Sequence, residues 1–483
     1  MTQPETESAA MTPLQRRVLF VAVLSSCLVI LDSSAVNLAL PAMGRELGGG
    51  LAFQQWVVDG YLLTLGSLIL AAGTLADRYG RARVLEIGVI AFTVMSVVCG
   101  ISWNEWVLVA ARVLQGTAAA VVTPSALALI MASAGGATRA RMIGLWTAWT
   151  SAAAVAAPFV GGAAVDLATW RLVFLVNVVP AALMWRPLVA LRRGAPAPSP
   201  AGRLDVLGAV LGVVSLAGLV LGLIEQGARG WGDPLVVVCL VVGVVAGVAF
   251  VVRQRTAASP MLPLVLFRER NFAAGNVSTW WAYGALGMGF FVLGLYLQQR
   301  MGLRAFEAGL GLLPATLSLL FLSPTAARIG ARIGPRLPMA LGPGLGAVAY
   351  GWMALETPPL DYWRDILGPV VLFGLGLSIM VAPLTAAVLG AVPVESSGIG
   401  SAVNNAVARV ASLVCIAAAG GIMGGTLDDA GFRRGMLAAA GLLAASSLTS
   451  ALWIRNPAPV AAAAAGEAPG EAPAVGDESG AGS

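Results

Sequence analysis

The chain has 483 residues, of which 58% are hydrophobic and only 11% are charged, whereas a soluble domain carries about 25% charged residues. It contains no histidine and no lysine, so all 29 basic residues are arginines. These two absences exclude a P-loop lysine, a lysine Schiff base, an imidazole base and histidine-ligated metals. The composition indicates a membrane protein in which any proton handling depends on carboxylates.

Apolar runs long enough to cross a bilayer follow one another along the chain. A spanning helix needs about 20 apolar residues, and backbone polar groups within lipid need internal partners, so each run predicts a helix. Fourteen such runs are present, at 18–40, 53–75, 84–102, 106–131, 142–165, 171–191, 205–224, 234–252, 272–297, 306–327, 337–355, 366–392, 398–424 and 435–454.

The runs are grouped as six, two and six, which predicts the domain organisation. We expect an N-terminal six-helix bundle over 17–191, a linker with two additional transmembrane helices over 192–258, and a C-terminal six-helix bundle over 259–456. Residues 1–16 are predicted to be a cytoplasmic tail, and residues 457–483, rich in Ala, Gly, Pro and acids, a disordered tail. Paired bundles around a central cavity are a common transporter plan.

The arginines predict the orientation of the chain. With the N-terminus in the cytoplasm, most loop arginines fall on the inner side, as the positive-inside rule requires. We therefore expect a multi-pass protein of the cytoplasmic membrane, with both termini in the cytoplasm. The four cysteines lie in apolar runs without a CxxC spacing, which indicates small buried hydrophobic residues.

A tight basic turn is predicted after the second run, where residues 73–83 read Gly-Thr-Leu-Ala-Asp-Arg-Tyr-Gly-Arg-Ala-Arg. A glycine permits the bend, the aspartate can hold an arginine or a helix N-terminus, and the arginines anchor the loop to the inner leaflet. The segment resembles the signature loop of the major facilitator superfamily, whose characteristic positions are here Gly73, Asp77, Arg78, Gly80 and Arg81.

Further segments resemble the fourteen-span drug:proton antiporter branch of that superfamily. They are Leu31 to Pro41 in the first run, Arg112 to Gly116 in the fourth, and Pro158, Gly161 and Gly162 at the antiporter motif of the fifth. Trp170, Arg171, Phe174, Asn177 and Pro180 match the pattern entering the sixth run. The chain departs from the antiporter motif at Ala153 and Ala157, and its second signature loop, at 328–336, lacks the aspartate.

This resemblance, which covers residues 15–455, implies an all-α major facilitator fold of two six-helix bundles plus two central helices. It implies a proton-coupled exporter of lipophilic or cationic drugs or antibiotics that works by alternating access. The expected partners are that small molecule, protons and membrane lipids, with no cofactor, metal or nucleic acid, and we expect a monomer that is not an enzyme. The alternatives are a proton-coupled uptake symporter of a small metabolite, a polytopic membrane enzyme such as a lipid transferase, or a non-transporting sensor.

Three charges inside the runs are candidates for proton coupling, because charges within a bilayer are costly and tend to be functional. At 1.5 Å per residue, Asp32 lies about 13 Å, and Asp59 and Arg112 about 9 Å, below the outer ends of their helices. The similar depths predict that one water-filled cavity in the first bundle holds all three. We expect Asp32 and Arg112 to form a protonation-coupled pair and Asp59 to be a proton or cation site.

The sequence gives less information about the substrate cavity than about the charged residues. Aromatic residues on the ninth run suit flat lipophilic ligands and cations, and amides within the membrane can orient a ligand. The predicted lining residues are Asn37, Gln115, Trp280, Tyr283, Phe291, Asn404, Asn405 and Arg409. Among the remaining acids, Asp205 is predicted to cap the seventh helix, and Glu86 to pair locally with Arg83.

Overall fold

A computed structural model describes residues 11–194, 204–393 and 397–456. The predicted C-terminal tail, most of the N-terminal tail and residues 195–203 of the linker lie outside the described residues. The long helices are α1 (Pro13–Leu47), α2 (Gly50–Tyr79), α3 (Arg81–Gly100), α4 (Glu105–Ser133), α5 (Gly136–Leu167), α6 (Leu172–Arg193), α7 (Val206–Arg229), α8 (Pro234–Thr256), α9 (Arg270–Gln299), α10 (Ala305–Ile333), α11 (Arg336–Leu355), α12 (Tyr362–Gly390), α13 (Ser397–Met423) and α14 (Asp429–Trp453).

Each predicted run corresponds to one of these helices, so the predicted fold class is confirmed. Thirteen of the described helices are long and apolar enough to cross a membrane. The fourteenth, α11, has 20 residues, and it packs against α12 and α14. Its length of about 30 Å matches the hydrocarbon core.

Several helices extend beyond the apolar runs because their ends are capped outside the hydrocarbon. Thr12 and Gln15 form a capping box at the start of α1, and Pro13 occupies its first turn, where a missing N–H costs nothing. The Asn104 side chain accepts a hydrogen bond from the Val107 N–H at the start of α4. Between α2 and α3, Gly80 has φ 92°, a conformation that favours glycine and turns the chain within a single residue.

The helix contacts repeat between the two bundles. In the first bundle α1 packs on α5, α2 on α4, and α3 on α4 and α6. In the second bundle α9 packs on α13, α10 on α12, and α11 on α12 and α14. Each contacting pair in the second bundle has helix numbers eight higher than the corresponding pair in the first. This is the pattern expected of a duplicated six-helix unit separated by two inserted helices. The bundles meet where α5 packs on α10 and α2 packs on α13.

The two inserted helices form a hairpin beside the junction of the bundles. The helices α7 and α8 pack closely, because Gly218 and Gly243 face each other and a Cβ on Gly218 would lie 2.8 Å from the Gly243 nitrogen. Of this pair, α7 contacts both α2 and α13. The hairpin therefore touches one helix of each bundle.

A polar clasp closes the inner end of this hairpin, at Asp205. Its carboxylate caps α7 by accepting the Gly208 N–H, as predicted, and also accepts hydrogen bonds from Arg253 and Gln254 of α8 at 3.0 Å each. Burial raises the pKa of Asp205, but the three donors outweigh burial and hold the pKa below its usual value. The clasp therefore depends on an ionised carboxylate.

Candidate functional site

Asp32 of α1 lies at the centre of a buried polar network in the first bundle. The side chain is 0% exposed. One carboxylate oxygen accepts a hydrogen bond from Arg112 Nη1 of α4 at 2.6 Å. The other accepts from Gln115 Nε2 at 2.9 Å and from Asn177 Nδ2 of α6 at 3.0 Å. Three donors thus satisfy this carboxylate, and a charge buried in this way is far less costly than an unpaired one.

Arg112 is the cation of this network and is 1% exposed. Besides Asp32, its guanidinium donates to the Val57 carbonyl of α2 at 3.0 Å and to Gln115 Oε1 at 2.7 Å. Its Cζ atom lies 4.3 Å from the centre of the Tyr61 ring, which adds a cation–π contact. Arg112 therefore connects α4 to α1 and α2 through one planar group.

Ser96 of α3 and Asn177 complete the network, and residue spacing did not assign a role to either. The Ser96 hydroxyl accepts hydrogen bonds from Gln115 Nε2 at 2.7 Å and from Asn177 Nδ2 at 3.1 Å. In the sequence, Ser96 and Asn177 are polar residues within otherwise apolar runs. The same kind of pattern identified Asp32 as a candidate. With these two residues the side-chain network joins α1, α3, α4 and α6, and the bond from Arg112 to the Val57 carbonyl adds α2.

Gln115 corrects one expectation, since it was predicted to line a substrate cavity. It is 0% exposed and is bonded to Asp32, Arg112 and Ser96. Its amide has opposite ends that donate and accept, so it fits between the carboxylate and the guanidinium. Gln115 belongs to the charge network rather than to a cavity wall.

Asp59 does not join this network, which corrects the prediction of one water-filled cavity for all three charges. Asp32, Arg112 and Asp59 are all sealed from water. On α2, Gln55 and Gly66 contact α13, and Asp59 lies four and seven residues from them, on the same helix face. Depth along a helix does not determine which neighbour a side chain faces.

Both carboxylate oxygens of Asp59 lack a hydrogen-bond partner among the described residues. The surrounding seam is formed by α2 and α13, where Gln55, one turn before Asp59, donates to the Ile416 carbonyl. An ionised carboxylate in this position would carry a large desolvation penalty. The geometry therefore fits a neutral, protonated carboxyl.

The predicted signature loop forms the tight inner turn between α2 and α3. Asp77 accepts a hydrogen bond from Arg81 Nε at 2.9 Å, and Arg81 also donates to the Ala128 carbonyl of α4. The Arg78 guanidinium lies over the Tyr79 ring. A Cβ on Gly73 would meet open space, so no close contact in this structure requires the glycine there.

The predicted antiporter motif lies where α5 meets two other helices at once. A Cβ on Gly161 would lie 2.6 Å from the Ala35 Cβ of α1, within the same bundle. A Cβ on Gly162 would lie 2.6 Å from the Phe306 Cα of α10, in the other bundle. The Pro158 carbonyl lies close to Gly309 of α10. The motif therefore provides the small residues that let the two bundles approach.

Polar contacts join the bundles at the helix ends opposite to the signature loop, on the side predicted to face outward, and we call these contacts together with Gly162 the outer seam. Gln55 Nε2 of α2 donates to the Ile416 and Ala417 carbonyls of α13 at 2.6 and 3.0 Å. Gln299 Nε2 of α9 donates to Gln54 Oε1 at 3.3 Å. These contacts hold the two bundles together at these ends.

Asp166, at the outer end of α5, is a member of the outer seam that sequence reasoning missed. Its two carboxylate oxygens accept the Ala305 and Phe306 N–H groups at 3.2 and 2.8 Å. Asp166 therefore caps α10, a helix of the opposite bundle, and a carboxylate at a helix N-terminus is favourable. No local pattern reveals a cap that comes from a residue 139 positions away.

Comparison with known proteins agrees with this architecture. The family model for the major facilitator superfamily matches residues 22–416. The chain belongs to the major facilitator superfamily. It is 34% identical over 409 residues to the methylenomycin A resistance protein of Bacillus subtilis (strain 168), covering 84% of this chain and 87% of that protein.

Two further similarities bear on this major facilitator chain. The cephamycin export protein of Amycolatopsis lactamdurans is 35% identical over 390 residues, covering 78% of this chain and 79% of that protein. A crystal structure of a peptide transporter in complex with sulfate has a TM-score of 0.68 at 16% identity, covering 92% of this chain and 95% of that chain. At that identity the structural similarity establishes the fold alone.

The other predicted cavity residues of this facilitator are divided between packing and open positions. Phe291 is 2% exposed and belongs to the core of the second bundle, so it does not line a cavity. Asn404 Nδ2 of α13 donates to Thr279 Oγ1 and Asn276 Oδ1 of α9. Partly or fully exposed side chains remain at Asn37, Trp280, Tyr283, Asn405 and Arg409.

Proposed function

We propose that this chain is a proton-coupled secondary exporter of antibiotics or other drugs that works by alternating access in the cytoplasmic membrane. Relatives that match most of the chain include resistance and export proteins, which supports drug efflux. We further propose that it is a monomer with both termini in the cytoplasm. Its partners are a small molecule, protons and lipids, and it performs transport rather than enzymatic chemistry.

The observation that carries the proton coupling is the sealed pair of Asp32 and Arg112. Three donors hold the Asp32 carboxylate, so a proton that binds the oxygen facing Arg112 must weaken that hydrogen bond. Because the same network connects α1, α2, α3, α4 and α6, loss of that charge should change how these helices pack. Protonation and helix arrangement are therefore energetically linked.

Asp59 provides a second buried carboxyl, whose environment differs from that of Asp32 because no donor reaches it among the described residues. Its oxygens lack donors within the closed outer seam region, whereas opening of the seam would admit water to α2 and α13. An ionised Asp59 suits the open state and a protonated Asp59 suits the closed one. Two buried carboxyls, one with three hydrogen-bond donors and one with none among the described residues, are a suitable basis for proton exchange.

Drug-dependent proton movement in everted vesicles tests the proposed function. When the vesicle lumen is acidified, addition of a transported drug should release protons from the lumen as the drug enters. Asp32→Asn should abolish this exchange with normal membrane content, because the neutral amide can neither release a proton nor hold Arg112 by charge. Glu225→Gln is the matched control, since Glu225 pairs only with Arg229 at the outer end of α7.

Exchange at the wild-type rate by Asp32→Asn would refute the proton-coupling assignment. If substrate instead left the lumen together with protons, the chain would be an uptake symporter and the direction of transport proposed here would be wrong.

A further inference from the structure

Arg409 lies between the two bundles, near the middle of α13. A Cβ on Gly66 of α2 would lie 3.5 Å from the Arg409 Cβ. Three residues further along α13, the Ser412 hydroxyl donates to the Tyr283 carbonyl of α9 at 2.9 Å. Helices of both bundles therefore surround this guanidinium, and its partial exposure is to the space between the bundles rather than to lipid.

The guanidinium of Arg409 has no hydrogen bond or salt bridge to any residue that the structure describes. An arginine at this depth is costly unless it is paired or faces a polar cavity. Arg112, the other arginine deep within a span, has a carboxylate, a carbonyl and an amide oxygen as partners. Of these two deep arginines, Arg409 is thus the one whose hydrogen-bond donors are unused among the described residues.

Carboxylates do not balance this charge in the part of the chain that is described. Asp32 and Asp59, the two acids deep within spans, are both 0% exposed. The other carboxylates of the described helices lie at or near helix ends, at Glu46, Asp77, Glu86, Glu105, Asp166, Glu225, Glu307, Asp365 and Asp429. The space between the bundles therefore presents an accessible positive charge and, among the described deep residues, no accessible negative one.

The side chains next to Arg409 add a second donor on the same helix face. Asn405 precedes Arg409 by four residues, so the two lie one above the other on α13. The Asn405 side chain is exposed and donates one hydrogen bond to the Ser401 carbonyl of its own helix at 3.1 Å, which leaves its second amide hydrogen. The Asn404 side chain is instead bonded to α9. A guanidinium has a planar fork of donors that matches a carboxylate, and a nearby amide can donate to the same group.

We propose that Arg409, assisted by Asn405, binds the anionic group of the substrate, which makes the transported class lipophilic carboxylates. This inference rests on the proposed function and narrows the substrate to acids. In the closed state that the structure describes, a lipophilic cation in the same space would be repelled by Arg409, and both deep carboxylates, Asp32 and Asp59, are buried away from it.

Binding of matched probes to the purified full-length protein in detergent tests this inference. The probes are N-dansyl-leucine, a lipophilic carboxylate, and its methyl ester, which has the same apolar body without the charge. Wild type should bind the acid roughly tenfold or more tightly than the ester, the size expected for a charge-assisted hydrogen bond. Arg409→Gln should weaken binding of the acid by a similar factor and leave binding of the ester within about twofold.

Two further variants separate a binding role from a structural one. Arg409→Lys should retain part of the preference for the acid, because the charge remains while the planar fork is lost. Asp59→Asn should leave the preference unchanged. Retained binding of the ester shows that each variant is folded.

Equal binding of acid and ester by wild type, or an Arg409→Gln effect of the same size on both probes, would overturn the inference. An Asp59→Asn variant with the phenotype of Arg409→Gln would also overturn it, since Arg409 would then serve Asp59. The proposed function fails separately, when vesicles with wild-type protein show no drug-dependent proton movement.

Discussion

The outer seam makes a sharp prediction for Gly162→Ala. The new Cβ would lie 2.6 Å from Phe306 Cα and 2.8 Å from Phe306 N. Both are backbone atoms, and Phe306 N is held by Asp166, so α10 cannot yield locally. Overpacking of this kind costs roughly 1–3 kcal/mol.

This cost applies mainly to the state in which the outer ends of the bundles touch, because separation of α5 from α10 removes the clash. The equilibrium should therefore shift toward the outward-open state by roughly 5- to 150-fold. Transport should slow in turn, since the return to the closed state becomes unfavourable.

Labelling of a buried cysteine by a membrane-impermeant maleimide measures this shift. The probe is Leu38→Cys, placed after the four native cysteines have been replaced, because Leu38 is 3% exposed and lies against Gly309 across the seam. Gly162→Ala should raise the labelling rate from the outside. Unchanged labelling in a variant with normal membrane content would refute the reasoning.

Two glycines of the same helix provide matched controls. A Cβ on Gly144 would meet open space, so Gly144→Ala should leave labelling unchanged. Gly161→Ala should clash with Ala35 inside the first bundle and lower thermal stability without opening the seam. An equal rise in labelling for all three variants would show that the effect is general loosening.

Two further predictions concern polar contacts. Asp166→Ala should remove the cap of α10 and weaken the outer seam by about 0.5–2 kcal/mol, which the same cysteine labelling would detect as increased outside access; unaltered access would count against a role for the cap in closure. Asp205→Asn should remove an acid-sensitive contribution to stability. The pKa of Asp205 in the folded protein lies below the unfolded value of about 3.9. The stabilisation by its carboxylate is therefore fully present above the unfolded pKa and is lost as the pH falls through the folded pKa. The melting temperature of wild type in detergent should therefore fall more steeply below about pH 4 than that of Asp205→Asn, and parallel curves would contradict this.

Sequence alone predicted the helices well, because the bilayer imposes length and apolarity on every span. The pairing of Asp32 with Arg112 was also predictable, since each is a costly charge at similar depth in the same bundle. The face toward which Asp59 points was not predictable, because depth along a helix is independent of rotation about its axis. The partners Ser96, Asn177 and Asp166 depend on contacts between helices that are distant in sequence.

The charge distribution links the two proposals. In a one-to-one exchange, an exported monocation and an imported proton move no net charge, so the membrane potential contributes nothing. An exported monoanion and an imported proton together move two positive charges inward, and at 100 mV this is worth about 4.6 kcal/mol, since each charge contributes about 2.3 kcal/mol. A cavity whose accessible deep charge is Arg409 therefore favours the class of substrate for which the potential drives export most strongly. Proton coupling through Asp32 and anion binding at Arg409 would then use both components of the proton-motive force.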